Sequence, residues 1–172
     1  MRVCVALAFG SLVAACAAPE AAGYRDTSRP LTYTSRSDVS RLAGAWHLRG
    51  HYPGDEGLRQ VSYLRDRQGH EAFELVVRAC AANGDCEGAG EVWQAKPLGP
   101  NRWRLTDPKG GAARDLWVIW VDEGYRTAAI GAPDGGYGWV LDRSVKGGAD
   151  RITAAREVLD FNGYDIGAMI QR

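Results

Sequence analysis

The chain has 172 residues, room for one domain with a sizeable core and not comfortably for two. Its 21 Lys and Arg balance 21 Asp and Glu, so charge gives no sign of nucleic-acid recognition through a basic surface. Six Trp and seven Tyr against three Phe make an aromatic set with polar handles. Such rings line semi-polar cavities and equally fill ordinary β cores.

The N-terminus reads as an export signal. Arg2 supplies a positive charge, Val3 to Val13 form an apolar run too short to span a bilayer, and Val13-Ala14-Ala15-Cys16 closes it with small residues before a cysteine. This end resembles the bacterial lipobox, whose cysteine is acylated and becomes the first residue after cleavage. Residues 1–15 are thus expected to be a lipoprotein signal peptide, with Cys16 as the lipidation site. Several acyl chains at roughly 0.8 kcal/mol per buried methylene make an anchor that stays in the membrane. Ala17 at the next position, in place of Asp, favours the outer membrane by the enteric sorting rule. The expected location is lipid-anchored at the outer membrane, on its periplasmic face. Residues 16–37, polar and small with Pro19 and Pro30, read as a lipidated tether to a domain spanning 38–172.

Asp38 to Leu42 predicts a short helical turn. Alternating segments then follow at 45–52, 58–66, 71–80, 86–95, 102–106, 115–122, 125–131 and 136–142, separated by turn residues such as Pro53-Gly54-Asp55, Asn83-Gly84 and Asp134-Gly135-Gly136. Consecutive strands without intervening helix predict an all-β, eight-stranded antiparallel up-and-down barrel with room for one small ligand. A sandwich of the same strands is the alternative. Cys80 and Cys86 flank the Asn83-Gly84 turn, so in an oxidising compartment a disulfide stapling a hairpin tip fits. A two-cysteine metal site lacks neighbouring His ligands, and no metal or cofactor is expected. After the last strand the period changes. Ile152, Ala155, Val158 and Leu159 share a helical face within 149–161, Gly163 supplies the stop, and 166–170 reads as a short final strand.

Two elements flanking the strand run resemble the lipocalin family. One is Leu42-Ala43-Gly44-Ala45-Trp46, with its Gly-x-Trp, and the other is Arg143, which ends the eighth strand. The likeness is nearest to bacterial outer-membrane lipoprotein lipocalins and to apolipoprotein D, and it extends over residues 38–172. It implies a barrel closed at one end, where Arg143 lies across the Trp46 indole, and open at the other. Period two places Tyr137, Trp139, Leu141 and Arg143 on one face, which the resemblance makes the lumen. The resemblance also implies pocket-lining roles for Trp117 and Trp139. Ile119 shares the Trp117 face by period, and Phe73 is a further lining candidate, as are Val92 or Trp93 with inside and outside unresolved. The alternative for each is a side chain packed in a filled core or under the external helix, with lining the favoured reading for Trp117 and Trp139.

Arg49, His51 and Arg59 near the first hairpin could meet a lipid head group or be solvated surface charges. The short Tyr52 to Gly57 connection, where lipocalins carry a longer lid, suggests a wide mouth. Enzyme motifs are missing: there is no Gly-x-Ser-x-Gly elbow, no His-Glu-x-x-His and no Gly-x-x-x-x-Gly-Lys loop. His47, His51 and His70 are scattered, and Asp122 and Glu123 fall in a turn. The expectation is a non-enzymatic lipoprotein. It would bind, store or transport fatty acids, lysophospholipids or similar amphiphiles in the bacterial envelope. The alternative is a filled barrel with a structural or protein-docking role.

Overall fold

A computed structural model describes residues 23–36, 38–80 and 86–172. A 3-10 turn at Val39–Leu42 leads into β1 (Gly44–His51), β2 (Leu58–Arg65), β3 (Glu71–Cys80), β4 (Cys86–Gly99), β5 (Arg102–Thr106), β6 (Arg114–Val121), β7 (Thr127–Gly131) and β8 (Gly138–Asp142). Helix α1 (Ala149–Phe161), a second 3-10 turn (Ile166–Ala168) and β9 (Ile170–Gln171) complete the chain. Each of the eight strands pairs antiparallel with the next, and β1 pairs with both β8 and β2, so the sheet closes on itself. β9 lies antiparallel against the end of β1. The final strand is therefore shorter than expected, because Asp165 accepts the Gly167 amide and turns the first half of that segment into a 3-10 turn.

The strands separate two apolar clusters. Inside the barrel lie Trp46, Val61, Tyr63, Phe73, Trp93, Trp103, Leu116, Val118, Tyr137 and Trp139 among others. Outside, α1 lays Ile152, Ala155 and Leu159 on Ile119, Ala129 and Val140. These helical residues recur at one face of a 3.6 period, and the sheet residues present the opposite parity to the lumen. A buried ion pair, Arg151 Nη2 to Asp142 Oδ2 at 3.2 Å, pins the start of α1 beside the floor end of β8. At the other end, Tyr164 packs its ring on Gly138, where a Cβ would come within 2.9 Å, and its hydroxyl receives the Ala132 amide at 2.9 Å.

One strand departs from its expected parity. Between β6 and β7 the register steps from Val118↔Ile130 to Trp120↔Ala129, so Ile119 is an extra residue, a β-bulge. The bulge puts Leu116, Val118 and Val121 inside, while Ile119 and Trp120 both face the outer cluster.

The segment expected to be a tether throughout is docked from Gly23 onward. Tyr24 N donates to Gly135 O at 2.8 Å, Asp26 N to Gly163 O at 2.9 Å and Thr34 N to Val118 O at 2.9 Å. Arg25 is buried, donating to Asn162 O and Pro133 O at 2.9 Å each. Residues 23–36 thus form a strap down the outer wall, ending where Asn101 Nδ2 donates to Thr34 O and Arg36 O. Polar composition suggested a free chain, but these side chains and amides find partners on the barrel.

Candidate ligand site at the open end of the barrel

The floor is sealed by the two signature residues. Arg143 Cζ stands 3.8 Å over the Trp46 ring, while its Nη2 and Nη1 donate to Arg41 O at 2.7 Å and Ala45 O at 2.9 Å. Trp46 Nε1 donates to Leu42 O at 2.8 Å, tying the indole to the 3-10 turn beneath it. Above this plug, Leu42, Trp46, Val61, Phe73 and Leu116 surround a void of about 20 Å³, the space of one water. Tyr63, Phe73 and Trp103 then fill the barrel's middle with ring centroids 5.3 to 5.7 Å apart. The Tyr63 hydroxyl donates to Glu71 Oε1 at 2.7 Å and Trp103 Nε1 donates to Glu71 Oε2, so both polar handles are satisfied.

Free space returns at the mouth. A well of about 120 Å³ is walled by Leu58, Leu75, Val77, Trp93, Arg114 and Trp139. It shares Asp55, Trp93 and Arg114 with an open cleft of about 460 Å³ that Pro53, Asp107, Asp134 and Tyr137 rim. Tyr137 and Trp139 pack with centroids 4.6 Å apart. Trp139 Nε1 donates to Asp55 Oδ2 at 2.8 Å. The short first loop therefore leans over the mouth through Asp55 instead of leaving it wide, because a carboxylate at its tip reaches the indole N–H.

The polar groups of this mouth are unevenly satisfied. Arg114 lays its guanidinium 4.4 Å over Trp93 and 5.5 Å from the Tyr137 ring centroid, and among the described residues no carboxylate forms an ion pair with it. Trp93 is 5% exposed and its Nε1–H is buried without an acceptor. Burial raises the Tyr137 hydroxyl well above the usual tyrosine range, against the opposing pull of Arg114, so it stays a neutral donor, here to Asp115 O at 2.7 Å. The mouth thus holds a guanidinium outside any ion pair and an indole N–H without an acceptor, in walls that Asp55, Glu91, Asp107 and Asp134 also line.

The structure brings Phe73, Tyr137 and Trp139 into the lumen cluster. Trp117 and Ile119 are corrections. Ile119 packs outside under α1, and Trp117 takes the edge of Tyr33 of the strap at 5.8 Å with Arg102 stacked 5.1 Å above it. Period two groups Trp117 and Ile119 with Val121, but the bulge at Ile119 breaks that grouping and leaves only Val121 inside. Trp93 is inside and Val92 is exposed. His51 is buried with Nδ1 2.9 Å from Tyr52 O, so it is not a solvated rim charge. Arg49 and Arg59 bind backbone carbonyls along the side of β1 and β2. Asp122 receives the Arg126 and Thr127 amides as the organiser of the β6–β7 turn. Asp55 and Arg114 had no sequence signal as site residues, since turn acids and strand-end arginines are ordinary surface chemistry.

A family model described as a lipocalin-like domain matches residues 37–172. The chain belongs to the lipocalin family. Among solved structures, the lipocalin resembles lobster apocrustacyanin A1 at 13% identity and a TM-score of 0.58, covering 78% of each chain. Apocrustacyanin C2 matches at 11% identity and a TM-score of 0.61 over 87% of each chain. The cockroach allergen Per a 4 matches at 12% identity and a TM-score of 0.61, over 81% of this chain and 90% of that one. At such identities the likeness carries the barrel and its helix, and nothing of the cargo. No curated protein matches the chain.

Proposed function

We propose that this lipocalin binds a small anionic amphiphile, such as a fatty acid or lysophospholipid, at the open end of its barrel, without catalysis. The observation that carries the reading is the pairing of the Arg114 guanidinium, outside any ion pair among the described residues, with the acceptor-less Trp93 N–H over a well that Leu58, Leu75 and Val77 line beside Asp55 and Glu91. The head group would sit in the outer cleft and the first carbons of the tail against Leu58, Leu75 and Val77. The 460 Å³ cleft lies within the usual range of ligand pockets and the 120 Å³ well lies below it. A longer tail therefore requires Trp139 to leave Asp55 and open the lumen. Ten buried methylenes would contribute about 8 kcal/mol by transfer, reduced by ordering and association costs.

The proposal includes acylation at Cys16 and residence at the bacterial outer membrane. An anchor beside the ligand source raises the effective concentration and makes micromolar affinity adequate. The second reading, a filled barrel with a docking role, is favoured by the 20 Å³ floor void.

Isothermal titration with oleate, lysophosphatidylglycerol and uncharged monoolein separates the two. The expected result is binding of both anions, weakened about tenfold in Arg114→Ala, the size of one charge-assisted contact, with monoolein affinity unchanged by that substitution. No binding of any of the three to the folded protein would sink the carrier and leave the filled barrel.

A further inference from the structure

The strap enters the domain at the mouth, and that placement has a consequence for orientation. Gly23 lies so close to the β7–β8 turn that a Cβ there would stand 2.5 Å from Asp134 O. Tyr24 stacks on Tyr52 at 4.5 Å and donates its hydroxyl to Pro53 O at 3.1 Å. Asp134 and Pro53 both rim the open cleft. Arg25, buried, then locks the strap to Asn162 at the end of α1, and Asp165 N closes the junction by donating to Tyr24 O at 2.9 Å. From this entry the strap runs toward the floor, so the chain leaves the domain on the side where the barrel is open.

We infer that the open end of this lipocalin faces the bilayer that holds its anchor, a step resting on the lipidation of Cys16 proposed above. Residues 17–22 separate Cys16 from Gly23. Seven Cα steps reach at most roughly 25 Å. The eight residues of β1 alone run roughly 26 Å from floor to mouth along the strand. Turning the floor to the membrane would need the linker to travel most of that height in addition to clearing the head groups. A second observation agrees. Phe161 ends α1 beside the strap contacts of Asn162 and is 75% exposed among the described residues, an apolar ring at the mouth end. In this orientation Arg114 and Trp93 open toward anionic lipid, and a ligand enters from the bilayer without crossing bulk water.

The test uses the full-length protein, processed in a bacterial host and reconstituted in phosphatidylcholine–phosphatidylglycerol vesicles carrying a head-group quencher. A fluorophore is placed at the mouth in Pro108→Cys or Phe161→Cys, and at the floor in Arg67→Cys or Gln68→Cys, two positions per end in case one variant does not fold. We expect at least threefold stronger quenching at the mouth. A Gly/Ser spacer of about 20 residues before Gly23, long enough to reach past the barrel, should erase the difference. Equal or stronger quenching at the floor, with acylated Cys16 seen by mass spectrometry, overturns the orientation and leaves the anchor standing. An unmodified Cys16 overturns the anchor and the orientation together, while amphiphile binding by the soluble domain remains a separate result.

Discussion

Arg143 shows how one side chain can close a barrel. Its planar fork serves three carbonyls, Arg41, Ala45 and, at 3.4 Å, Tyr125, while its face covers the Trp46 indole. Burial lowers its pKa from the ordinary arginine value. Lysine could keep the charge but not the fork. Arg143→Ala is expected to cost about 3 kcal/mol in urea unfolding, from the lost cation–π contact and the carbonyls left without donors. Arg143→Lys should fall between the two, and neither change should alter amphiphile affinity at the far end of the barrel. The Trp46–Arg143 pair was legible because both residues sit at strand ends where pattern and motif agree. Arg114 was not legible. Its meaning depends on Trp93 and Tyr137, which β4 and β8 bring to it from about twenty residues away on either side in sequence.

Strand pairing decides the next level of organisation. The ladder between β3 and β4 continues without a slip from Glu71↔Ala95 to Cys80↔Cys86. Residues 81–85, with the expected Asn83-Gly84 turn, lie outside the described residues. Directly opposed Cα atoms in an antiparallel pair are about 4.5–5.5 Å apart, within the range a disulfide spans. Non-reducing peptide mapping of the protein folded under oxidising conditions should return the Cys80–Cys86 cross-link. Closing so short a loop should stabilise the domain by about 2 kcal/mol relative to the double serine variant. Two free thiols titrating in the protein so folded would remove the staple. The opposite lesson comes from β6. Its alternation looked regular, and one inserted residue, Ile119, set Val121 inside while Trp117 and Ile119 lie on the outer wall.

The closed barrel, its helix and its strap share a set of buried tyrosines that tie stability to pH. Burial raises Tyr164 from the ordinary value of 10.0 to about 12, only partly offset by its hydrogen bond from Ala132. Burial likewise pushes up Tyr52 and Tyr137. In the unfolded chain these phenols ionise near pH 10, and in the folded chain they stay protonated. Their contribution is therefore whole below about pH 10 and is lost as pH rises toward 12. Circular dichroism with absorbance at 295 nm should show co-operative alkaline unfolding in that window, coincident with tyrosine ionisation. In Tyr164→Phe the folded protein should be weaker at neutral pH, having lost its bonds to the β7–β8 turn, and its alkaline slope should be shallower. A barrel stable through pH 12 would contradict this account.

Local chemistry in the chain was enough for the eight strands and the helix over 149–161, while the floor plug was legible through the resemblance to the lipocalins. Period and turn residues are properties of neighbours in sequence, and they survive whatever the rest of the molecule does. Three things waited for the tertiary structure. The bulge parted Val121 from the face of Trp117 and Ile119, since parity beyond an extra residue depends on which partner strand accepts it. Residues 23–36 became a strap because their hydrogen-bond partners lie far away in sequence, on the barrel and at the end of α1. The lumen's filled floor and open mouth were settled by how rings from β2, β3, β5 and β8 share one interior. Packing volume is a sum over distant residues, and no window of sequence contains it.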